Sequence, residues 1–310
     1  MIRSPEVFVR STMAREGERG ATWLAELPAI VDELLGRWEC VPDGEVMHGG
    51  VGLIVPVLRM DGEPAVLKVS FPHPGNRYEP DALTEWGGRG AVLLHERDDQ
   101  QFAMLLERAQ RPTLAQVGTG DEVATVAGQI SRRLATPAPP HLPRLQEQAD
   151  TWEEQLRQEA AELPHVLSTY IVSAALATVH ELARDQPGTL VHGDLNARNI
   201  LKADREPWLA VDPKGWAGDP ASDCGTLLKS RSVVLVEEGE LRTAIRRTLD
   251  IFTEASGLDR ERARRWAQLS AVQAAFSGRR RGFRRAWQGA ELDRLVALVD
   301  ELAVILTAPN

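Results

Sequence analysis

The stretch "LVHGDLNARNIL", residues 190–201, places His192, Gly193, Asp194 and Asn199 between two aliphatic runs. Burial alone gives no reason for an Asp and an Asn at that spacing. Phosphoryl transfer does. It needs an acceptor for the proton of the attacking hydroxyl, oxygen ligands for the Mg²⁺ on the nucleotide phosphates, and a cation that holds those phosphates in line. Asp194 suits the first role. Asn199 offers an amide oxygen to a hard cation, which takes oxygen ligands and wants an acidic one among them. Asp212, in "LAVDPKG", supplies that acid beyond a predicted strand pair in "NILKADREPWLAVDP". A polar loop can hold an Asp and an Asn by chance, but chance does not add Asp212 at the end of the next strand pair.

The elements that must position these groups are legible in outline. Residues 22–38, "TWLAELPAIVDELLGRW", have helical apolar spacing, with Pro28 marking a kink or a start. "GLIVPVLRM", an Asp61-Gly62 turn and "PAVLKVS" read as a β-hairpin. On its second strand Ala65, Leu67 and Val69 share one face, and Val66, Lys68 and Ser70 the other. A Pro/Gly-rich connection over 72–80 leads to a short helix near 81–86, then to strands in "AVLLHERD" and "QFAMLLER". After residue 108 helical patterns dominate, at about 121–134, 150–162, 166–183, 239–256, 259–277 and 290–307. "TPAPPHLP" at 136–143 is a connector. The expectation is an α+β chain with a β-rich lobe over 1–106 and a helical lobe carrying the catalytic loop over 107–310.

Composition narrows the partners. The chain has 310 residues, a formal net charge of −9 and 43% hydrophobic residues. That acidic balance disfavours nucleic acid, whose affinity rests on Lys and Arg neutralising phosphates. It is compatible with a cationic small substrate. Cys40 and Cys224 form no metal or redox spacing. The N-terminus lacks an apolar signal core, and no run approaches the length of a membrane span. A cytoplasmic protein with no membrane and no obligate protein partner is expected. Two charge runs stay unassigned: the acids of "VEEGE" (236–240) and the arginines of "SGRRRGFRRAWQ" (277–288) both read as solvated faces.

Taken together, these residues resemble the aminoglycoside phosphotransferase family, and within it the streptomycin 6-phosphotransferase and hydroxyurea phosphotransferase group. The matching stretches are "WLAELPAIVDELLGRW", "AVLKVS", "ALTEWGGRGAVLLHERD", "LLER", "LVHGDLNARNIL" and "AVDPKGWAGDPASD", from about residue 22 to 226. The resemblance implies a protein-kinase-like bilobal fold with ATP and Mg²⁺ as cofactors. It implies Asp194 as the catalytic base, Asn199 and Asp212 as metal ligands, and Lys68 as the lysine on the nucleotide phosphates. Gly49, Gly50 and Gly52, in the turn "HGGVG", would let backbone N–H groups approach phosphate. Glu107, in "MLLER", would lie in the linker whose backbone pairs with adenine. Glu79 matches the family's Glu before "AL…W" as the partner of Lys68, with Asp81 and Glu85 as alternatives. Asp219 and Asp223 are expected to be structural, bonding the catalytic loop or capping the next helix, and His192 to organise the loop. The acceptor implied is a hydroxyl of a small molecule, streptomycin foremost. Hydroxyurea, a sugar or another metabolite is the alternative, and a non-catalytic nucleotide-binding protein a further one. Retention of Asp194, Asn199, Asp212 and Lys68 argues against the last. No Ala-Pro-Glu follows Asp212, which argues against a protein substrate.

Overall fold

The computed structural model describes residues 2–237, 240–283, 286 and 288–308. The chain divides into two compact units. The first comprises Met1–Gln110 with Ala203–Lys214, and the second Arg111–Lys202 with Gly215–Asn310.

The first unit opens with α1 (Glu6–Arg37), bent at Gly17, whose φ of 59° leaves the helical region. Its N-terminal half extends beyond the helix expected from residue 22, and Pro28 sits inside the helix without ending it. Strands follow: β1 (Cys40–Pro42), β2 (Met47–His48), β3 (Gly52–Arg59) and β4 (Pro64–Ser70). Helix α2 (Glu79–Trp86) then leads to β5 (Leu94–Asp98) and β6 (Ala103–Glu107). They form one antiparallel sheet in the order β1-β3-β4-β6-β5, with β2 also on β3. The sheet buries one face under α1. Trp23, Leu27, Val31 and Leu34, at helical spacing, pack with Leu53, Val55, Val57, Leu67 and Val69. Each such side chain contributes about 1.5–3 kcal/mol when fully buried. Because Leu67 and Val69 face α1, strand alternation turns Lys68 to the opposite face.

The second unit carries α3 (Leu114–Val117), α4 (Gly120–Leu134), β7 (Thr136–Pro137), α5 (Ala149–Glu162), α6 (Thr169–Thr178), β8 (Thr189–Val191) and β9 (Ile200–Lys202). Strand β10 (Trp208–Ala210) belongs to the first unit. The chain returns to the second at β11 (Trp216–Gly218) and ends in α7 (Asp223–Glu237), α8 (Leu241–Ser256), α9 (Arg260–Arg281) and α10 (Ala290–Thr307). Helix α7 adds to the helical patterns read from the sequence, which give none between 183 and 239 although a helix to be capped by Asp219 or Asp223 is one expectation there. Residues of α4 and α8 approach closely at Gly128, where a Cβ would stand 2.6 Å from the Phe252 carbonyl oxygen. Strand β8 lies between β7 and β11 in a three-stranded antiparallel sheet and delivers the chain to His192.

Segment 203–214 joins the first unit through hydrogen bonds. Ala210 donates to the Gly90 carbonyl at 2.9 Å, and its own carbonyl accepts from Val92 at 3.1 Å. The Arg205 guanidinium reaches the carbonyls of Gly88 and Ala91 and both carboxylate oxygens of Glu107. Asp212 emerges immediately after this anchored stretch.

Candidate active site

In the first unit, strand β4 and helix α2 converge on one buried cation. Lys68 Nζ lies 2.6 and 2.8 Å from the two carboxylate oxygens of Glu79 and 2.8 Å from Asp212 Oδ1. Glu79 is wholly buried at the first turn of α2, where Pro80 is tolerated and the helix dipole favours negative charge. Of the two alternative carboxylates, Asp81 pairs with Arg97 at 3.0 Å and Glu85 is exposed. Burial opposes the charge on Lys68, but Asp212 and Glu79 outweigh it and the ammonium is held more firmly than usual. Burial pushes the Glu79 carboxyl up, against the pull of Lys68. Asp212 is driven well below the usual carboxylate range because Lys68 and Lys214 outweigh its burial. Its φ of 60° is a left-handed value uncommon in a residue with a side chain, and such strain clusters at functional sites.

The glycine turn lies in the same unit. Gly49 donates to the Gly52 carbonyl at 2.8 Å, and Gly50 accepts from Arg15. A Cβ at Gly52 would crowd Ser70 Oγ at 2.8 Å and the Val69 carbonyl oxygen at 3.2 Å. At Glu107 the N–H donates to Leu93 O, while the carboxylate accepts from Leu93 N and Arg205.

In the second unit, the loop after β8 is shaped from beneath. Asp223, buried at the start of α7, accepts the amides of Gly193 at 2.9 Å and His192 at 3.2 Å. Gly193 has a φ of 77°. Burial pushes the Asp223 carboxyl up to about 7, despite these amides. His192 Nδ1 accepts from the Asp194 amide at 3.2 Å, so the ring organises the loop. Asp219 caps the following turn at Ala221 and accepts from Trp266 Nε1 at 2.6 Å. Both acids are thus structural.

Asp194 carries two amides. Asn199 Nδ2 lies 3.2 Å from its Oδ2, and Asn196 Nδ2 lies 3.2 Å from its Oδ1. Both Nδ2 atoms also bond the Asp194 carbonyl, at 2.9 and 3.1 Å. Donating through nitrogen leaves Asn199 Oδ1 as the oxygen it can offer a metal. The carboxylate of Asp212 and the amide oxygen of Asn199 are each of the oxygen type that a hard cation such as Mg²⁺ takes. Asn196 was missed by the sequence reading, although an Asn two residues beyond the Asp is a usable signal. Lys214, whose Nζ lies 3.2 Å from Asp212 Oδ2, was missed as well. Beside the loop, a cavity of about 430 Å³ is lined by Thr113, Gln116, Ala197, Arg198, Ser230 and Arg231. No carboxylate lines it among the described residues.

The two charge runs lie elsewhere or apart. Arg279 pairs with Asp300 and Arg280 with Glu162, so these two arginines serve the helical packing. The acidic run 236–240 falls partly outside the described residues.

The profile of the aminoglycoside/hydroxyurea antibiotic resistance kinase family matches residues 37–282. The chain belongs to this family. It is 37% identical to a streptomycin 6-kinase of Streptomyces glaucescens, over 89% of this chain and 91% of that one. A hydroxyurea phosphotransferase of Kitasatospora aureofaciens is 34% identical, over 88% of this chain and 79% of that one. The fold is also that of more distant kinases. A choline/ethanolamine kinase family protein from Mesorhizobium loti superposes with a TM-score of 0.57 at 14% identity, over 90% of this chain and 95% of that one. The amicoumacin kinase hAmiN, in complex with AMP-PNP and Ca²⁺, does so with a TM-score of 0.56 at 13% identity, over 95% and 96%. The family member is accordingly a phosphotransferase of kinase-like fold, with a β-sheet N-terminal region and a helical remainder. Among the described residues no helix is long and apolar enough to cross a membrane.

Proposed function

We propose that the chain transfers the γ-phosphoryl group of ATP to a hydroxyl of a small molecule, with streptomycin as the acceptor. The observation that carries the chemistry is Asp194, held by Asn196 and Asn199 in an orientation suited to a base. Asp194 accepts the proton of the attacking hydroxyl. Lys68, fixed by Glu79, holds the nucleotide phosphates, and the backbone of Gly49, Gly50 and Gly52 approaches them. Asp212, and Asn199 through its Oδ1, would serve as ligands of Mg²⁺, which would supply neutralisation of phosphate charge. Glu107 borders the base through its carbonyl.

The acceptor assignment rests on the streptomycin 6-kinase relatives. The cavity beside the loop, with Arg198 and Arg231 in its wall, suits a neutral, hydroxyl-bearing part of such an acceptor more than its cationic groups. Hydroxyurea is the second reading, favoured by the 34% identical relative. The site of action is the cytoplasm, with no nucleic-acid, membrane or obligate protein partner. Incubation with ATP, Mg²⁺ and each candidate, followed by mass spectrometry, tests the proposal. Streptomycin should gain one phosphoryl group, about 80 Da. An unchanged streptomycin beside a converted hydroxyurea or sugar overturns the acceptor, and no ADP release with any of them overturns the kinase reading.

A further inference from the structure

Asp212 has more cationic company than its single charge requires. Lys68 lies on Oδ1 at 2.8 Å and Lys214 on Oδ2 at 3.2 Å. With Glu79 the cluster holds two ammonium groups and two carboxylates, so its formal charge is zero. The two lysines are not held alike. Lys68 contacts three carboxylate oxygens, two of them from Glu79. Lys214 contacts one, at the longest of these distances, and its side chain is the more exposed, at 17% against 9%. It also sits between Asp212 and Gly215, whose backbones both have positive φ, of 60° and 65°. The backbone there is closely defined while the ammonium is tethered at a single point.

We propose that Lys214 is a displaceable counter-ion that neutralises Asp212 Oδ2 until a metal–nucleotide complex arrives, and then carries its charge to the phosphoryl group being transferred. The inference rests on the reading of Asp212 as a metal ligand. Mg²⁺ binds oxygen at about 2.0–2.1 Å. An oxygen that held both Mg²⁺ and an ammonium would bring two cations into near contact, so one must leave. Departure of Lys68 would leave the wholly buried Glu79 without its partner, and an uncompensated buried charge is costly. Departure of Lys214 breaks one contact. Its flexible four-carbon stem and compact charge suit a move to phosphate. Charge spread over the transferred group's oxygens is what a positive clamp stabilises in this chemistry. No bond to Lys214 forms or breaks, and it remains an ammonium throughout.

The test uses the full chain with Lys214→Met, which keeps the stem and removes the charge, and Lys214→Arg. In the first measurement, Mg²⁺ is titrated calorimetrically into protein mixed with AMP-PNP. With its competitor gone, Lys214→Met should reach half-saturation at a Mg²⁺ concentration lower than wild type by about threefold or more. In the second, kcat at saturating Mg²⁺ should fall by about 10²–10³-fold, the usual effect of losing one transition-state donor. The acceptor KM should stay within about threefold, and Lys214→Arg should recover part of the loss. A lysine that only stabilises the loop predicts the reverse: weaker Mg²⁺ binding and a lower melting temperature. A Mg²⁺ midpoint unchanged or raised overturns the displacement, and a kcat within about threefold of wild type overturns the clamp. Should Lys214→Met fail to fold, Lys214→Gln is judged by the same two criteria. If wild type phosphorylates no acceptor offered, the functional reading fails while the calorimetric titration still decides whether Lys214 yields to the metal.

Discussion

Replacing Glu79 by Gln removes one charge from a cluster whose geometry allows the cost to be worked out. Removing one partner of a buried ion pair typically costs about 3–5 kcal/mol, because the other charge is left uncompensated. Here Lys68 is not abandoned, since Asp212 Oδ1 remains at 2.8 Å. The Gln carbonyl can still accept one of the two hydrogen bonds that Glu79 accepts, at 2.6 and 2.8 Å. Burial also works against the Glu79 carboxylate, so a neutral amide recovers some of that penalty. The expected loss is therefore below the usual range, about 1–3 kcal/mol. At about 2–4 °C per kcal/mol, the melting temperature should drop by roughly 2–12 °C. Calorimetric binding of AMP-PNP should weaken by about tenfold, because a lysine stem without its second anchor no longer presents its charge at one place. Glu85→Gln is the control: Glu85 is exposed on the same helix, and its loss should move neither quantity. If Glu79→Gln melts and binds nucleotide like this control, the pair does not hold Lys68 in place.

Asp194→Ala should lower kcat by about 10²–10⁴-fold with nucleotide affinity little changed, as for loss of a general base. Substrate-dependent ADP release within twofold of wild type would contradict that role. Asp212→Asn should weaken Mg²⁺-dependent nucleotide binding and stop turnover, and unchanged calorimetric binding would point to another carboxylate. Asp223 should impose a pH dependence on stability. Its carboxyl binds a proton more tightly in the folded chain, at about 7 against an ordinary 3.8, so the stability it contributes is present below 3.8 and is lost as pH rises through about 7. The melting temperature of Asp223→Asn relative to wild type should accordingly rise between about pH 4 and pH 8, and a pH-independent difference would refute the assignment.

The catalytic loop was legible because its chemistry is contiguous: His192, Asp194 and Asn199 occupy one short turn of chain, so spacing alone carries meaning. Lys68 was legible as a strand residue on the face opposite Leu67 and Val69. Its partner was not, because the Pro/Gly-rich residues 72–80 have no periodicity from which to count. Only the resemblance favoured Glu79, and the geometry agrees with that choice. Helix α7 escaped notice for a physical reason. It packs against α8, α9 and α10, so apolar residues such as Leu227, Leu228 and Leu235 are buried on several sides and no polar face stands out. The first half of α1 was hidden by the opposite cause, a run of charged residues with only Phe8 and Thr12 buried before the bend. Strands β7, β8 and β11 are too short for alternation to register. Lys214 acts through its contact with Asp212, a relation that becomes visible only when distances are known.

The attachment of residues 203–214 to the first unit has a consequence for how the protein is made. A ribosome delivers the six-stranded sheet first, yet Arg205, 98 residues beyond Glu107, meets Gly88 and Ala91 only much later. At about 5–20 residues per second this is a wait of several seconds or more. Meanwhile Glu107 lacks its guanidinium, and Lys68 has Glu79 but not Asp212. A nascent chain at that stage has a sheet and a buried lysine but neither the acid nor the anchor that complete them. No single cut of the gene can therefore yield the smaller unit whole. Truncation after residue 110 discards the very segment that carries Asp212, and a separable version would require residues 203–214 to be spliced back onto the shorter product.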